Sequence, residues 1–452
     1  MTGSAHPQMP PHGLAGAAGT ARPPRIAAAA AVLFIGISAA NTLPPLWQLA
    51  FYLVGLLAVW RRPDPLPLRE ALLILLACGY VVGLRLVKGL ELDGALRLLR
   101  PCFEGFLVAH VLVRWCHLRD VRSLGLALAT MVGLQALLSL GMAASPQVRL
   151  DFIQALYADE SYQNAQFVGA LVFRGYGITR HHLYGFSLAI GLSVALMLMV
   201  ASLARPGGRR LALAAAAVLG LLVALVNARI GLVPVLLCYL AGGTLFFHRF
   251  YMQHLLATVL LLLLPLVYFG ALYFGDDIAT LANWVSAGLT QFIDADSQDS
   301  STLSDLAAML VVSPDALDLL LGLGGACDTA AACYSDIGFI RALQEGGLPF
   351  LLLVLALYTS LNLRIVRWFR QTCGLRGSRG RRACALLSLV VHGSFAAAMI
   401  KGEAFGPSDY SRLVATLAFL GLLAASQRPH RRLATARHRD AAPPPPATLR
   451  PV

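Results

Sequence analysis

Charge is scarce in this chain. Only 13% of its 452 residues are Asp, Glu, Lys or Arg, against about 25% in a usual soluble domain. Acid is the scarcer sign, with 23 Asp and Glu against 36 Lys and Arg, for a net charge of +13. The eight cysteines are scattered without metal-ligand spacing, which argues against a zinc-type site. No basic stretch with interleaved aromatics is present, so the positive balance does not point to nucleic acid. Long Leu, Ala and Val runs favour helices over a transmembrane barrel, whose strands would alternate apolar and polar residues. There is no internal repeat and no pair of broken helices of the transporter kind.

What is there is apolar. The chain is 58% hydrophobic with a mean hydropathy of +0.69. The apolar residues come in blocks separated by short polar joints. One water-soluble core could not hide so many blocks, whereas a bilayer accepts each as a helix of about 20 residues. The pattern predicts an all-α polytopic membrane protein with twelve spans. They run over 26–41, 45–60, 68–87, 101–115, 121–144, 183–204, 211–227, 230–247, 254–275, 338–360, 383–400 and 411–426. With a cytoplasmic N-terminus, 25 of the 36 Lys and Arg fall on the inside and 11 outside. That asymmetry follows the positive-inside rule and predicts both termini in the cytoplasm of a bacterial inner membrane.

The domain plan follows. Residues 1–25 form a flexible N-terminus whose Arg22 and Arg25 precede an uncleaved first helix. Residues 26–426 form the membrane domain. Residues 427–452, with the run Pro443–Pro446, read as a disordered basic tail. Two larger loops, about 146–182 and 276–336, face the periplasm. Within the second, Leu303–Val312 and Asp315–Leu321 have the spacing of short amphipathic helices. Cys327 and Cys333 fall in the same loop, where a disulfide and two free thiols are equally open. The other six cysteines read as small buried hydrophobes.

Charges at membrane depth need a reason, and three clusters on the outer side stand out. The first is Phe173-Arg174-Gly175-Tyr176-Gly177-Ile178-Thr179-Arg180-His181-His182-Leu183-Tyr184-Gly185. Its glycines permit close backbone approach, and its arginines suit phosphate oxygens. Anchoring to lipid headgroups is the alternative, and the combination of Arg, His and Gly at a helix entrance favours the ligand-binding reading. The second is Asn227-Ala228-Arg229-Ile230-Gly231, where Arg229 sits in a minimal turn between two apolar helices. The third joins Ser335-Asp336-Ile337-Gly338 and Arg341, Gln344, Glu345, Gly346 and Gly347 to Lys401-Gly402-Glu403. Asp336, Arg341 and Glu345 share a helix face, and internal pairing of Arg341 with Glu345 is one outcome of that spacing.

In this order the clusters resemble the O-antigen polymerase and ligase superfamily (the Wzy and WaaL type). Arg174 and Gly185 are similar to that family's Arg-x10-Gly pattern, and Arg180 with Gly191 repeats the spacing. Asn-Ala-Arg229-Ile-Gly resembles its Ser-Arg-Gly stretch. Leu321-Gly322-Leu323-Gly324 followed by Ser335 to Ile340, and Lys401-Gly402-Glu403 with Ser411-Arg412, are similar to the polymerase pattern. The resemblance covers about residues 165–425. Ligases carry a His where this chain has Asp336, which favours the polymerase branch.

The resemblance implies a donor glycan on undecaprenyl pyrophosphate, transferred to another lipid-linked repeat unit. Its partners are then donor and acceptor, the bilayer, and flippase and chain-length regulator proteins, with no nucleic acid. Arg174, Arg180 and Arg229 are expected to stabilise the pyrophosphate leaving group. Asp336 is the first candidate for the base, with Glu345 and His181 behind it. Arg341, Lys401, Glu403 and Arg412 either orient the acceptor or pair internally. Fixed arginine charge substitutes for a metal at a pyrophosphate, so neither metal nor cofactor is expected. Two alternatives remain: a ligase moving glycan to lipid A–core, and a flippase of the lipid-linked sugar. The flippase needs charge deep inside several helices, whereas here it gathers at helix ends.

Overall fold

The computed structural model describes residues 23–39, 45–61, 67–92, 94–156, 176–179, 184–245, 249–274, 316–324, 335, 337–373, 377–402, 404–406 and 408–426. Among these residues the chain is helical, with no strand. The helices are α1 (Pro23–Leu33), α2 (Pro45–Trp60), α3 (Leu68–Val87), α4 (Leu99–Arg114), α5 (Val121–Ala144) and α6 (Pro146–Leu156). Then come α7 (Tyr184–Leu203), α8 (Gly208–Asn227), α9 (Leu232–Leu240) and α10 (Arg249–Phe274). The last four are α11 (Ala316–Leu321), α12 (Gly338–Thr372), α13 (Gly377–Lys401) and α14 (Asp409–Ser426). Each of the twelve expected segments is helical over its described residues, apart from Trp115 and Ala204 at the ends of two of them. Among the described residues six helices are long and apolar enough to cross a membrane: α3, α5, α7, α8, α12 and, over Gly380–Lys401, α13. Shorter apolar helices cover Pro23–Ala39, Leu46–Trp60 and Arg229–Thr244. The chain is therefore a multi-pass membrane protein. α1 and α9 each pass into a π turn, at Phe34–Ala39 and Ala241–Leu245.

α7 is the axis of the bundle. Every residue from Gly185 to Ala201 is buried, which fits a helix that is apolar on all sides. α5, α8, α9, α13 and α14 pack around it. Small residues set the closest approaches, as expected where lipid offers no hydrophobic drive between helices. A Cβ on Gly191 would strike the Gly231 carbonyl, and one on Gly231 would strike Ser187. The Ser187 hydroxyl lies 2.8 Å from the Ala224 carbonyl and 2.5 Å from that of Ala228. The glycines of both Arg-x10-Gly spacings thus serve helix contact: Gly191 meets Gly231, and Gly185 meets Ser408.

α3 and α12 run antiparallel between two ion pairs. At one end Arg364 donates from Nε and Nη2 to the two oxygens of Glu70, each at 2.6 Å, and the Ser360 hydroxyl also donates to Glu70. Glu70 is fully buried. At the other end Arg85 Nη2 lies 3.9 Å from Glu345.

α12 departs from the uninterrupted span expected over 338–360. It extends to Thr372 and breaks at Gly346 and Gly347, the latter at φ 63°. The break has a chemical cause. The Glu345 carbonyl would accept from residue 349 in a regular helix, and Pro349 has no N–H. A buried carbonyl must be satisfied elsewhere. The segment after α11 supplies the donors: Leu323 N–H to the Gln344 carbonyl at 2.6 Å and Gly324 N–H to that of Glu345 at 3.1 Å. Lys88 Nζ donates to the Gly322 carbonyl at 2.7 Å, and Tyr80 to that of Leu321 at 3.1 Å. Gly322 (φ 83°) and Gly347 meet backbone to backbone, where a Cβ on either would collide.

Two outcomes follow, both read by thermal unfolding in detergent. Glu70→Ala leaves Arg364 without its carboxylate and costs about 3 kcal/mol, while Glu70→Ala with Arg364→Met recovers part of that loss. Gly347→Ala lowers the midpoint sharply, because it meets both a forbidden φ and a backbone collision.

Candidate functional site

Helix direction gathers one set of ends. The end of α3 meets the start of α12 through Arg85 and Glu345. The start of α4 meets the start of α14 through Glu104 and Arg412. The starts of α7 and α14 touch at Gly185 and Ser408, and the Gly402 turn after α13 touches Tyr184 and Gly338. Those residues singled out by sequence that the structure describes, Tyr176–Thr179, Asn227, Arg229, Arg341, Glu345, Lys401 and Arg412, lie at this end of the bundle.

The described part of the first cluster, Tyr176–Thr179, is held by two side-chain amides. Gln135 of α5 donates from Nε2 to the Ile178 carbonyl at 3.0 Å and accepts the Ile178 N–H at 3.0 Å. Asn227, the last residue of α8, donates from Nδ2 to the Tyr176 carbonyl at 2.8 Å and accepts the Tyr176 N–H at 3.3 Å. Each amide stands in for a strand neighbour, giving extended backbone the donor and acceptor it needs at depth. Gly177, between the two clamped residues, has φ 104° and lies against Gln135 and Phe186. Thr179 closes the attachment, its hydroxyl donating to Asp409 Oδ2 at 2.7 Å.

Asp409 opens a buried charge network. Arg412 is wholly inaccessible. Its Nε donates to Glu104, and its Nη1 to Asp409 Oδ1 at 3.2 Å and to the Ile37 carbonyl at 3.3 Å. The second oxygen of Glu104 accepts from Tyr52 at 2.6 Å and from Arg100 Nε at 3.0 Å. Two guanidinium groups thus face two carboxylates, which is how a low-dielectric interior holds charge. The α13–α14 turn is folded into the same region. Ser408 accepts from the Ser411 N–H at 3.2 Å as the N-cap of α14. The Ala404 carbonyl accepts from the Ser411 hydroxyl at 2.6 Å and from Tyr358.

The expected site residues divide as follows. Arg229 is exposed in the single 3₁₀ turn Arg229–Gly231, two residues past Asn227. Arg341 is half-buried in the first turn of α12, and Lys401 is half-buried at the end of α13. Glu345, for which sequence spacing offered Arg341, lies beside Arg85. Arg412 takes the internal pairing and does not reach the surface. Arg174, Arg180, His181, Asp336 and Glu403 lie outside the described residues, as do Cys327, Cys333 and Leu303–Val312. The six other cysteines are free thiols, four of them buried. Sequence reasoning passed over Gln135, Glu104, Asp409 and Arg85. The signal was present: Glu104 interrupts an apolar run, and Asp409 stands three residues before Arg412. These charges sit within about two turns of helix ends, where they are buried in the protein and held in ion pairs.

Asn227→Ala removes both bonds to Tyr176 and costs about 1–3 kcal/mol. A reporter cysteine at Ile178 then reacts faster with a membrane-impermeant maleimide, whereas the same reporter in the parent chain stays protected. Compared with known protein families and with curated proteins, the chain matches none.

Proposed function

We propose that this chain is a membrane-embedded glycosyltransferase that polymerises undecaprenyl-pyrophosphate-linked repeat units at the periplasmic face of the bacterial inner membrane. The observation that carries the reading is the convergence of three sequence clusters at one end of the bundle. Tyr176 and Asn227, of the first and second clusters, are tied by hydrogen bonds of 2.8–3.3 Å, and Gly402 of the third packs against Tyr184 of the first and Gly338 of the third. The charge asymmetry of the sequence puts that end outside, in a twelve-span arrangement with both termini in the cytoplasm. The resemblance to the polymerase branch supplies the substrate class.

In the proposed reaction an acceptor sugar hydroxyl attacks the anomeric carbon of the donor glycan. The new glycosidic bond forms as the carbon–oxygen bond to pyrophosphate breaks, and undecaprenyl pyrophosphate leaves. Arg174, Arg180 and Arg229 neutralise the charge developing on that leaving group. A base takes the hydroxyl proton. Glu345 is buried against Arg85, so it is assigned to holding the start of α12. Asp336 is then the first choice for base, with His181 as its alternate. Lys401, Arg341 and Glu403 are assigned to orienting the acceptor.

Gene deletion tests this, read on gels of lipopolysaccharide and surface polysaccharide. The expected strain shows core plus a single repeat unit. Wild type restores the ladder, while stably expressed Arg174→Ala, Arg229→Ala or Asp336→Ala does not. Loss of all surface glycan with accumulation of long lipid-linked polymer would replace the polymerase with a ligase.

A further inference from the structure

One guanidinium at this end has no part in the reaction above. Arg149 lies in α6, the short helix that follows α5. Its Nη1 donates to the Tyr176 hydroxyl at 2.6 Å, and its Cζ lies 5.1 Å from the centre of the Tyr176 ring. The backbone of Tyr176 is the one that Asn227 clamps in both directions. Arg229 follows Asn227 by two residues and is exposed. Tyr176 therefore links Arg149 to the turn that carries Arg229.

Arg149 is half-buried, and its Nε is buried with no hydrogen-bond acceptor among the described residues. A guanidinium stays charged and needs acceptors for its N–H groups, so an orphan here calls for an explanation. With Nη1 committed to Tyr176, the remaining edge is Nε with Nη2. Those two parallel donors match two oxygens of one phosphate group. The tyrosine hydroxyl and ring fix the plane of the guanidinium.

We propose that Arg149 is a further binding residue for a phosphate-class anion at this end of the bundle, acting with Arg229 and held by Tyr176. The inference deepens the proposed polymerase and rests on it only for the ligand's identity. The competing reading makes the Arg149–Tyr176 pair a strut that holds α6 on the Tyr176–Thr179 segment. A strut has no use for the fork geometry, and the two readings part on substitution.

The test uses the purified full-length chain in detergent, titrated separately with farnesyl pyrophosphate, inorganic pyrophosphate and farnesol. Arg149→Lys keeps the charge and loses the fork, so it weakens pyrophosphate binding about tenfold with melting unchanged. Tyr176→Phe, which keeps the ring beneath the guanidinium, weakens binding to a smaller extent and guards against a fold defect. Binding of farnesyl pyrophosphate but not inorganic pyrophosphate assigns a lipid headgroup, and equal binding of both assigns the free anion. Binding by both variants equal to wild type, or no binding of either pyrophosphate by wild type, overturns the proposal. A deletion strain that still polymerises, beside Arg149-dependent binding, would overturn the polymerase and leave the anion site standing.

Discussion

A guanidinium sealed from water at the start of α14 sets the terms for the rest of this bundle. Arg412 has no exposed surface, and an uncompensated charge in such a place is costly. Its partners therefore fix what must lie around it. Glu104 brings α4, Asp409 holds the first turn of α14, and the Ile37 carbonyl brings the π turn after α1. Glu104 in turn orders Tyr52 of α2 and Arg100, and Asp409 orders Thr179. Four helices and one extended segment are positioned by the need to neutralise a single side chain. The network is a constraint on geometry more than a reserve of stability, since buried pairs roughly break even against apolar replacements.

The same accounting explains the irregular backbone. A break in a membrane helix exposes carbonyls that lipid cannot satisfy. At Gly346–Gly347 the segment 322–324 provides the missing N–H groups, and at 176–179 the amides of Gln135 and Asn227 do so. Non-helical chain is found at this end because other parts of the protein answer its hydrogen bonds. Irregular backbone and clustered polar side chains then arise together, which is the condition a binding site requires.

Much of the helical layout was legible in the sequence. The segments 45–60, 68–87 and 121–144 coincide with α2, α3 and α5, because apolar runs bounded by Arg, Asp and Pro leave little freedom for helix ends. The break in α12 was less legible. Gly346, Gly347 and Pro349 announced it locally, but the partner at Leu323 and Gly324 is remote in sequence. The clamps at Gln135 and Asn227 were hidden for the same reason, since nothing in an amide's neighbours says which backbone it will meet. Arg412 was singled out and assigned either to an acceptor or to an internal pair. Only packing reveals that Glu104, more than 300 positions earlier, supplies its counter-charge.

The all-round burial of α7 bears on how the chain comes to be assembled. A helix in the middle of the sequence is surrounded in the finished bundle by α13 and α14, which are synthesised last. Between its own insertion and theirs, the flank of α7 that they will cover faces acyl chains. Its residues must therefore suit two solvents in succession, hydrocarbon first and protein afterwards. The sequence of α7 answers both demands. It carries no charged side chain, so lipid accepts it, and it carries Gly185, Gly191, Ser187 and Ser193, whose small size lets the later helices displace lipid and close against the backbone.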